Sequence, residues 1–255
     1  MQTKIISTHS FRGGTGKSNV TANLAATLAD AGYRVGVFDT DIQSPGIHVI
    51  FGLQDDDVRH TLNDYLWGNC AIESAAHPVY SGSRNGAVYL VPSSIEPNDI
   101  ARILRERYEA STMHAAFRDL NRILQLDYLF IDTHPGLNEE TLLSIAISDT
   151  LIIILRPDQQ DFEGTSVTVD VARRLRVPNV TLVVNKVPPK YDMDDVCQQI
   201  EATYQCDVAA LLPLSLDVAD NASASLFWSM HPDHVFSRGI QRIAAQLQQL
   251  EAVLA

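Results

Sequence analysis

An open, doubly wound α/β sheet, mostly parallel and with helices on both faces, is the fold this sequence predicts, on three observations. Short apolar runs alternate with amphipathic helical patterns from one end of the 255 residues to the other. Most of these runs are β-branched or aromatic and apolar on both faces, as strands buried inside a parallel sheet must be. The glycines, carboxylates and prolines that carry chemistry follow the runs directly, where such a sheet binds its ligands.

The elements follow in order. Residues 4–8 form the first strand and lead into "HSFRGGTGKSN". Val20, Leu24 and Leu28 then fall on one helical stripe, closed by Gly32. Residues 35–39 give the second strand, followed by "DTDIQSPG", and residues 87–91 the third. Phe117, Leu120 and Leu124 form a helical stripe ahead of the strand at 128–132, which ends in "DTHPG". Residues 151–155 and 181–185 supply two more strands, the latter running into "NKVPP". A last helix at about 235–254 places Phe236, Ile240, Ile243, Leu247, Leu250 and Leu254 at heptad spacing, which suits packing on the core. No linker, repeat or low-complexity run interrupts the pattern, so residues 1–255 read as one domain.

Composition narrows the classes. The formal net charge of −12 argues against broad nucleic-acid binding, although a local basic patch survives it. Fifteen of the 19 cations are arginines. Cys70, Cys197 and Cys206 form no C-x-x-C pair and read as reduced thiols. The N-terminal residues contain no signal-length apolar stretch, and no run approaches the ~20 residues that span a bilayer. A cytoplasmic protein is expected.

Three loops carry the chemistry. Gly13, Gly14, Thr15 and Gly16 form a turn whose N–H groups can be aimed at a polyphosphate, at the positive end of the following helix. Lys17 would reach the β- and γ-phosphates and the Ser18 hydroxyl would ligate Mg²⁺. Asp132 ends an apolar strand, where it can accept from a magnesium-bound water, and the Gly136 N–H can approach the γ-phosphate unobstructed. Asp39 and Asp41, two apart at a strand end, would face the same way and repel unless a cation or water lay between them. Asp39 reads as support for Mg²⁺ and Asp41 as the group that orients an attacking water; two solvated loop aspartates are the alternative.

The sequence resembles the MinD/ParA family of deviant-Walker ATPases. The family's loop reads K-G-G-x-G-K-[ST], which this sequence follows from Gly13 onward, and it shares the D-x-D after the second strand, D-x-x-x-G after the Walker B strand and Asn after a late strand. The likeness runs from about Lys4 to Pro213 and implies a P-loop ATPase fold binding ATP/ADP and Mg²⁺. It also implies a homodimer with ATP sandwiched between subunits, and slow, partner-stimulated hydrolysis. The signature lysine is Arg12 here, whose guanidinium can contact two phosphate oxygens and keep the trans role. Arg156 is a second candidate for that role. Asn19 stands where the family contacts the α-phosphate, Asn185 at the adenine edge and Pro213 where adenine packs. ATP is favoured over GTP because Pro188 replaces the Asp of the guanine signature N-K-x-D.

The resemblance favours a positioning ATPase that distributes a plasmid, chromosome, division or other macromolecular complex, with an unidentified activating partner. An ATP-dependent regulator of a single protein partner is the alternative. Less favoured are an Mrp-type metal-cluster carrier, which "DIQSPGIHVIFG" resembles but which needs paired cysteines, and a small-molecule ligase. Nonspecific DNA is an open choice of surface, through Arg173, Arg174 and Arg176 or through Arg102, Arg105 and Arg107, against a plain solvated helix face. The tail is too poor in cations for a membrane surface.

Overall fold

Alternating side chains in the central strands sort the layers. From residues 150–155, Ile152 and Ile154 join one core, while Leu151, Ile153 and Leu155 join another on the opposite face. Residues 34–39 likewise send Val35 and Val37 to one face and Phe38 to the other. This is the period of two that an extended chain imposes. The structure is a computed structural model and describes residues 3–106 and 108–254.

The strands are β1 (Lys4–His9), β2 (Arg34–Asp39), β3 (His77–Ser81), β4 (Ala87–Val91), β5 (Tyr128–Asp132), β6 (Thr150–Leu155), β7 (Asn179–Val187) and β8 (Asp207–Pro213). They make one sheet in the order β3-β4-β2-β5-β1-β6-β7-β8, parallel except between β3 and β4. The helices are α1 (Lys17–Asp30), α2 (Ile47–Ile50), α3 (Leu62–Leu66), α4 (Pro97–Glu106), α5 (Ala110–Leu124), α6 (Glu139–Ala146), α7 (Gln159–Arg174), α8 (Met193–Tyr204), α9 (Leu216–Asp220), α10 (Phe227–Met230) and α11 (Val235–Leu254). One face of the sheet is covered by α1, α2, α10 and α11. The other is covered by α3, α4 and α5 at one end and by α6, α7 and α8 at the other. The doubly wound, mostly parallel sheet is therefore the observed fold.

The expected strands at 87–91 and 128–132 have the observed bounds, those at 4–8, 35–39 and 151–155 each gain one residue, and that at 181–185 gains two at each end. Two strands were not anticipated, β3 and β8, and both lie at sheet edges. Pro78 gives up a ladder N–H, and the register shifts between Pro78 and Tyr80, which only an edge tolerates. β8 is half-exposed along much of its length, so it lacks the continuous apolar signature of a central strand.

The strand order positions the site. β5 is inserted between β1 and β2, so the carboxyl ends of β2, β5 and β1 lie side by side and their loops converge. Helix α1 starts from this point and runs through the centre of one layer, with 11 of its 14 residues buried. Val20, Leu24 and Leu28, the expected stripe, are fully buried.

Helix α11 packs on α1 and β8, with Phe236, Ile240, Ile243 and Leu247 buried in that core. Leu250 is half-buried and the side chain of Leu254 lies outside the described residues. The apolar face of the tail is therefore used internally. Among the described residues no helix is long and apolar enough to cross a membrane.

Two basic groups are less free than their sequence suggests. Arg173 donates to the carbonyls of Tyr204 and Gln205, closing the C-terminus of α8, where orphan carbonyls attract a cation. Arg102 stacks 4.0 Å above the Trp67 ring and bonds Glu106 at 2.9 Å. Arg107 lies outside the described residues. Ile240→Ala should lower stability to urea by about 2–5 kcal/mol, the cost of truncating a buried aliphatic side chain. A loss within ordinary surface scatter would show that α11 is not part of the core.

Candidate functional site

The loop between β1 and α1 is bent by glycines and held from behind. Gly14 and Gly16 have φ of 79° and 92°, in the left-handed region that side chains disfavour. Gly16 is also the N-cap of α1, and no side chain caps the helix, so its first N–H groups are left to an anion. Asn185 Nδ2 donates to the Thr15 carbonyl at 2.7 Å and Lys186 Nζ to the Gly14 carbonyl at 2.8 Å. A Cβ on Gly16 would lie 2.4 Å from Asn185 Nδ2. On the other side, the Phe11 ring fills the space above Gly164 in α7, where a Cβ would lie 2.1 Å from it.

Below the loop is a buried charge cluster. Lys17 Nζ is 2.9 Å from Asp132 Oδ1, with side-chain exposures of 5% and 1%. Ser18 Oγ donates to Asp132 Oδ2 at 2.6 Å, and the Thr21 hydroxyl donates to Oδ1 at 3.0 Å. Asp39 pairs in register with Asp132 across the sheet. Burial, and then the Asp132 charge, push the Asp39 carboxyl up to about 8. Ser18 and two adjacent buried carboxylates form a hard oxygen set short of positive charge, which fits Mg²⁺. Next to the loop, burial and then the charges of Lys17 and His134 hold His9 neutral, at about 3.

Asp39 and Asp41 do not face one another as expected. The two Asp39 oxygens accept the backbone N–H groups of Asp41 and Gly46, at 3.1 and 3.2 Å, and so shape the loop after β2. Asp41 turns instead to His134, with Oδ1 2.6 Å from Nδ1. His134 lies within the quoted "DTHPG", but its partner is 93 residues away in sequence, so no spacing signal reveals it.

Several expected nucleotide contacts have protein partners here. The Gly136 N–H donates to the Ser10 carbonyl at 3.1 Å rather than standing open. Asn19 Nδ2 donates to Ser223 Oγ at 2.7 Å. Asn185 lies behind the loop within β7 rather than at a strand end, because β7 continues through Lys186, itself at φ 57°. Pro213 ends β8 opposite Val187. The phosphate cavity, about 420 Å³, is lined by residues 13–19, Asp41, His134 and Ser223 among others, and not by Asn185 or Pro213. Ser223 went unread because it is one polar residue in a polar loop. A second cavity of about 560 Å³, lined by Thr40, Gln43, Phe117 and Leu143 among others, shares His134 with the first.

The two arginines differ in freedom. Arg12 Nη1 is 3.8 Å from Asp158 and 3.7 Å from Asp161, with 42% of its side chain exposed. Arg156 is fixed more firmly, bonding Asp161 at 2.9 Å and Asp158 at 3.2 Å. This leaves it poorly placed for a role outside its own chain.

A glycine-bent loop leading into a helix N-terminus, with a lysine and a strand-end aspartate sealed beneath it, defines a P-loop NTPase. The family model ParA, described as NUBPL iron-transfer P-loop NTPase, matches residues 2–248, and the chain belongs to this family. An uncharacterized ATP-binding protein of Methanocaldococcus jannaschii is 30% identical over 239 residues, 93% of this chain and 85% of its own. An iron-sulfur cluster carrier protein of Methanococcus maripaludis is 32% identical over 186 residues, 71% of this chain and 59% of the carrier. Among solved structures, the septum site-determining protein MinD of Pyrococcus horikoshii, complexed with Mg-ADP, matches with a TM-score of 0.82. It is 20% identical and covers 100% of this chain and 99% of its own.

Gly16→Ala places a methyl group against Asn185 at a left-handed φ, whereas Gly13 has nothing within 4 Å of its would-be Cβ. Calorimetry should show ATP affinity falling at least about tenfold in Gly16→Ala and far less in Gly13→Ala, because only the first distorts the loop. Equal effects would contradict this account of the loop.

Proposed function

We propose that this protein is a Mg-ATP-dependent, dimerising ATPase switch of the MinD/ParA type that positions or partitions a cellular cargo. The observation that carries the reading is the Lys17–Asp132–Ser18 cluster beneath the glycine loop, with Arg12, on the same loop, 42% exposed and held only by long contacts. ATP would lie along residues 13–19, with the α1 N–H groups and Lys17 on its phosphates. Ser18 and Asp132 would hold Mg²⁺, supported by Asp39, and the ion supplies charge neutralisation of the phosphates. Asp41 orients the attacking water. Asn185 and Pro213 would take the adenine, with Asn185 exchanging its bond to Thr15 for the base. Asn19 would likewise exchange Ser223 for the α-phosphate, and Gly136 would exchange Ser10 for the γ-phosphate.

Arg12 acts on the partner subunit's phosphates. Its contacts to Asp158 and Asp161 are long, at 3.8 and 3.7 Å, and its own side chain is 42% exposed; the buried Asp161 keeps Arg156 as its partner when Arg12 leaves, so releasing Arg12 strands no charge. Between two closely placed triphosphates, in a site that excludes water, the guanidinium offsets strong repulsion. The dimerising switch, its slow hydrolysis and its stimulation by a protein partner belong to this reading, as does the cytoplasmic location. Regulation of a single protein partner remains the alternative output.

Iron transfer, the activity in the family description, finds less support. Cys197 lies in α8, Cys206 in the turn that follows it and Cys70 in the loop after α3, all three as free thiols, and burial raises each thiol above its usual range. Among the described residues no group of three His, Cys, Asp or Glu side chains could hold a metal ion. Anaerobic incubation with ferrous iron and sulfide should therefore leave the protein colourless after desalting. A stable iron-sulfur absorption band would favour the carrier reading.

The reading is tested with mixed subunits. Arg12→Ala should keep monomeric ATP binding but lose ATP-dependent dimerisation and at least about tenfold in turnover, about 1.4 kcal/mol or roughly the worth of one hydrogen bond to a charged group. Arg12→Lys should recover much of both. Mixing Arg12→Ala with Asp41→Ala should restore part of the turnover, since one site then has its own Asp41 and a partner's Arg12. If Arg12→Ala dimerises normally with ATP on size exclusion, the trans role is wrong. If DNA is the surface, binding should need ATP and fall steeply with salt, and Arg174→Glu with Arg176→Glu should remove it. Arg173 is a poor site for that test because it closes α8.

A further inference from the structure

The carboxylate of Asp41 is held by one histidine. Asp41 is 8% exposed, and its Oδ1 is 2.6 Å from His134 Nδ1, a close hydrogen bond to a carboxylate. The loops that bring them together are fastened to each other at their base. Thr40 donates both its N–H and its hydroxyl to the Asp132 carbonyl, each at 3.0 Å, and the Asp41 N–H donates to Asp39. On the other loop, the His134 carbonyl accepts from the Thr141 hydroxyl in α6 at 3.3 Å. Both backbones are thus set before the side chains meet. The His134 ring lines the phosphate cavity and the larger cavity beside it, and so forms part of the wall between them.

We propose that His134 is a positioning residue for ATP hydrolysis: its Nδ1–H fixes the Asp41 carboxylate so that Oδ2 is the oxygen presented to the attacking water. The inference rests on the role given to Asp41 above. A carboxylate donates no proton to the ring, so Nδ1 carries the hydrogen and Oδ1 accepts it. With Oδ1 engaged, rotation about the Asp41 side chain is stopped and the remaining oxygen keeps one direction. An unheld aspartate would sample other rotamers, and a water-orienting group displaced by about 1 Å can lose about 100-fold in rate. No proton moves through the imidazole in this account. In this role His134 acts through Asp41.

A merely structural pair and a positioning pair are separated by steady-state kinetics on the full chain with ATP and Mg²⁺. His134→Ala should lower kcat about tenfold to 100-fold while KM and calorimetric ATP affinity stay within about two-fold. His134→Asn, whose side-chain N–H falls near the place of Nδ1, should recover most of kcat. In an Asp41→Ala background, adding His134→Ala should cost nothing more, since the residue it acts through is already gone. The proposal is overturned if His134→Ala turns over like wild type, if Asn fails to rescue, if KM rises in step, or if the two losses multiply. Asp41→Ala with wild-type turnover would overturn the proposed role of Asp41 and this inference with it. Loss of turnover in Asp41→Ala but not in His134→Ala would overturn this inference alone. The nitrogen NMR signals of His134 give a readout independent of turnover: Nδ1 should be the protonated nitrogen and should change in Asp41→Ala, and an unprotonated Nδ1 in the wild type would overturn the pair.

Discussion

The buried ion pair of Lys17 and Asp132 is the constraint on which the rest of the site depends. It joins the first turn of α1 to the end of β5, and both groups are almost wholly removed from water. Such pairs add little net stability, because desolvation cancels much of the attraction, but removing one partner strands a buried charge at a cost of about 3–5 kcal/mol. The hydroxyls of Ser18, Thr21 and Thr8 complete the shell around Asp132, so the carboxylate is held in one orientation. A lysine held in this way is ready for a second anion. When phosphate arrives at the helix N-terminus, Lys17 has a new partner within reach, and Asp132 remains fixed by hydroxyl groups.

The same logic of exchange extends around the cavity. Gly136, Asn19 and Asn185 each donate within the protein, to Ser10, Ser223 and Thr15. None of these buried or half-buried donors is left without an acceptor in the form described, as the cost of unpaired polar groups demands. A nucleotide that recruits them replaces existing bonds rather than filling vacancies, so the net gain per contact is modest and the loops must shift to make it. In the proposed reading, binding would therefore be coupled to rearrangement of the loops after β1, β5 and β7. Arg12 fits this pattern, since its loose contacts to Asp158 and Asp161 hold it on its own chain without fixing it there.

Much of this was legible in the sequence because central parallel strands and phosphate loops leave strong local signals. The run YLFID is buried at every position, and its bounds were readable to the residue. The edge strands β3 and β8 were not, since half-exposed strands carry neither a continuous apolar run nor a clean alternation. Side-chain partners were harder still. Asp39 and Asp41 were visible as a pair, yet their partners are backbone N–H groups and a histidine on another loop. The strand expected at 181–185 is part of β7, but the continuation of β7 past Asn185 and the bond of Asn185 to Thr15 accompany a positive φ at Lys186 that no propensity foretells. The basic cluster at the end of α7 read as a surface patch, whereas Arg173 is occupied by the carbonyls of α8.

The central claim is that Lys17, Ser18 and Asp132 together form a site for a nucleotide with its magnesium ion. The most direct measurement is calorimetric titration of the full chain and of Asp132→Asn with ATP, with Mg²⁺ and with chelator. The account predicts that wild-type affinity falls at least about tenfold when the ion is removed, more than 1.4 kcal/mol, and that Asp132→Asn loses most of this difference. Equal ATP affinity with and without Mg²⁺ in the wild type, or an undiminished Mg²⁺ effect in Asp132→Asn, would contradict it.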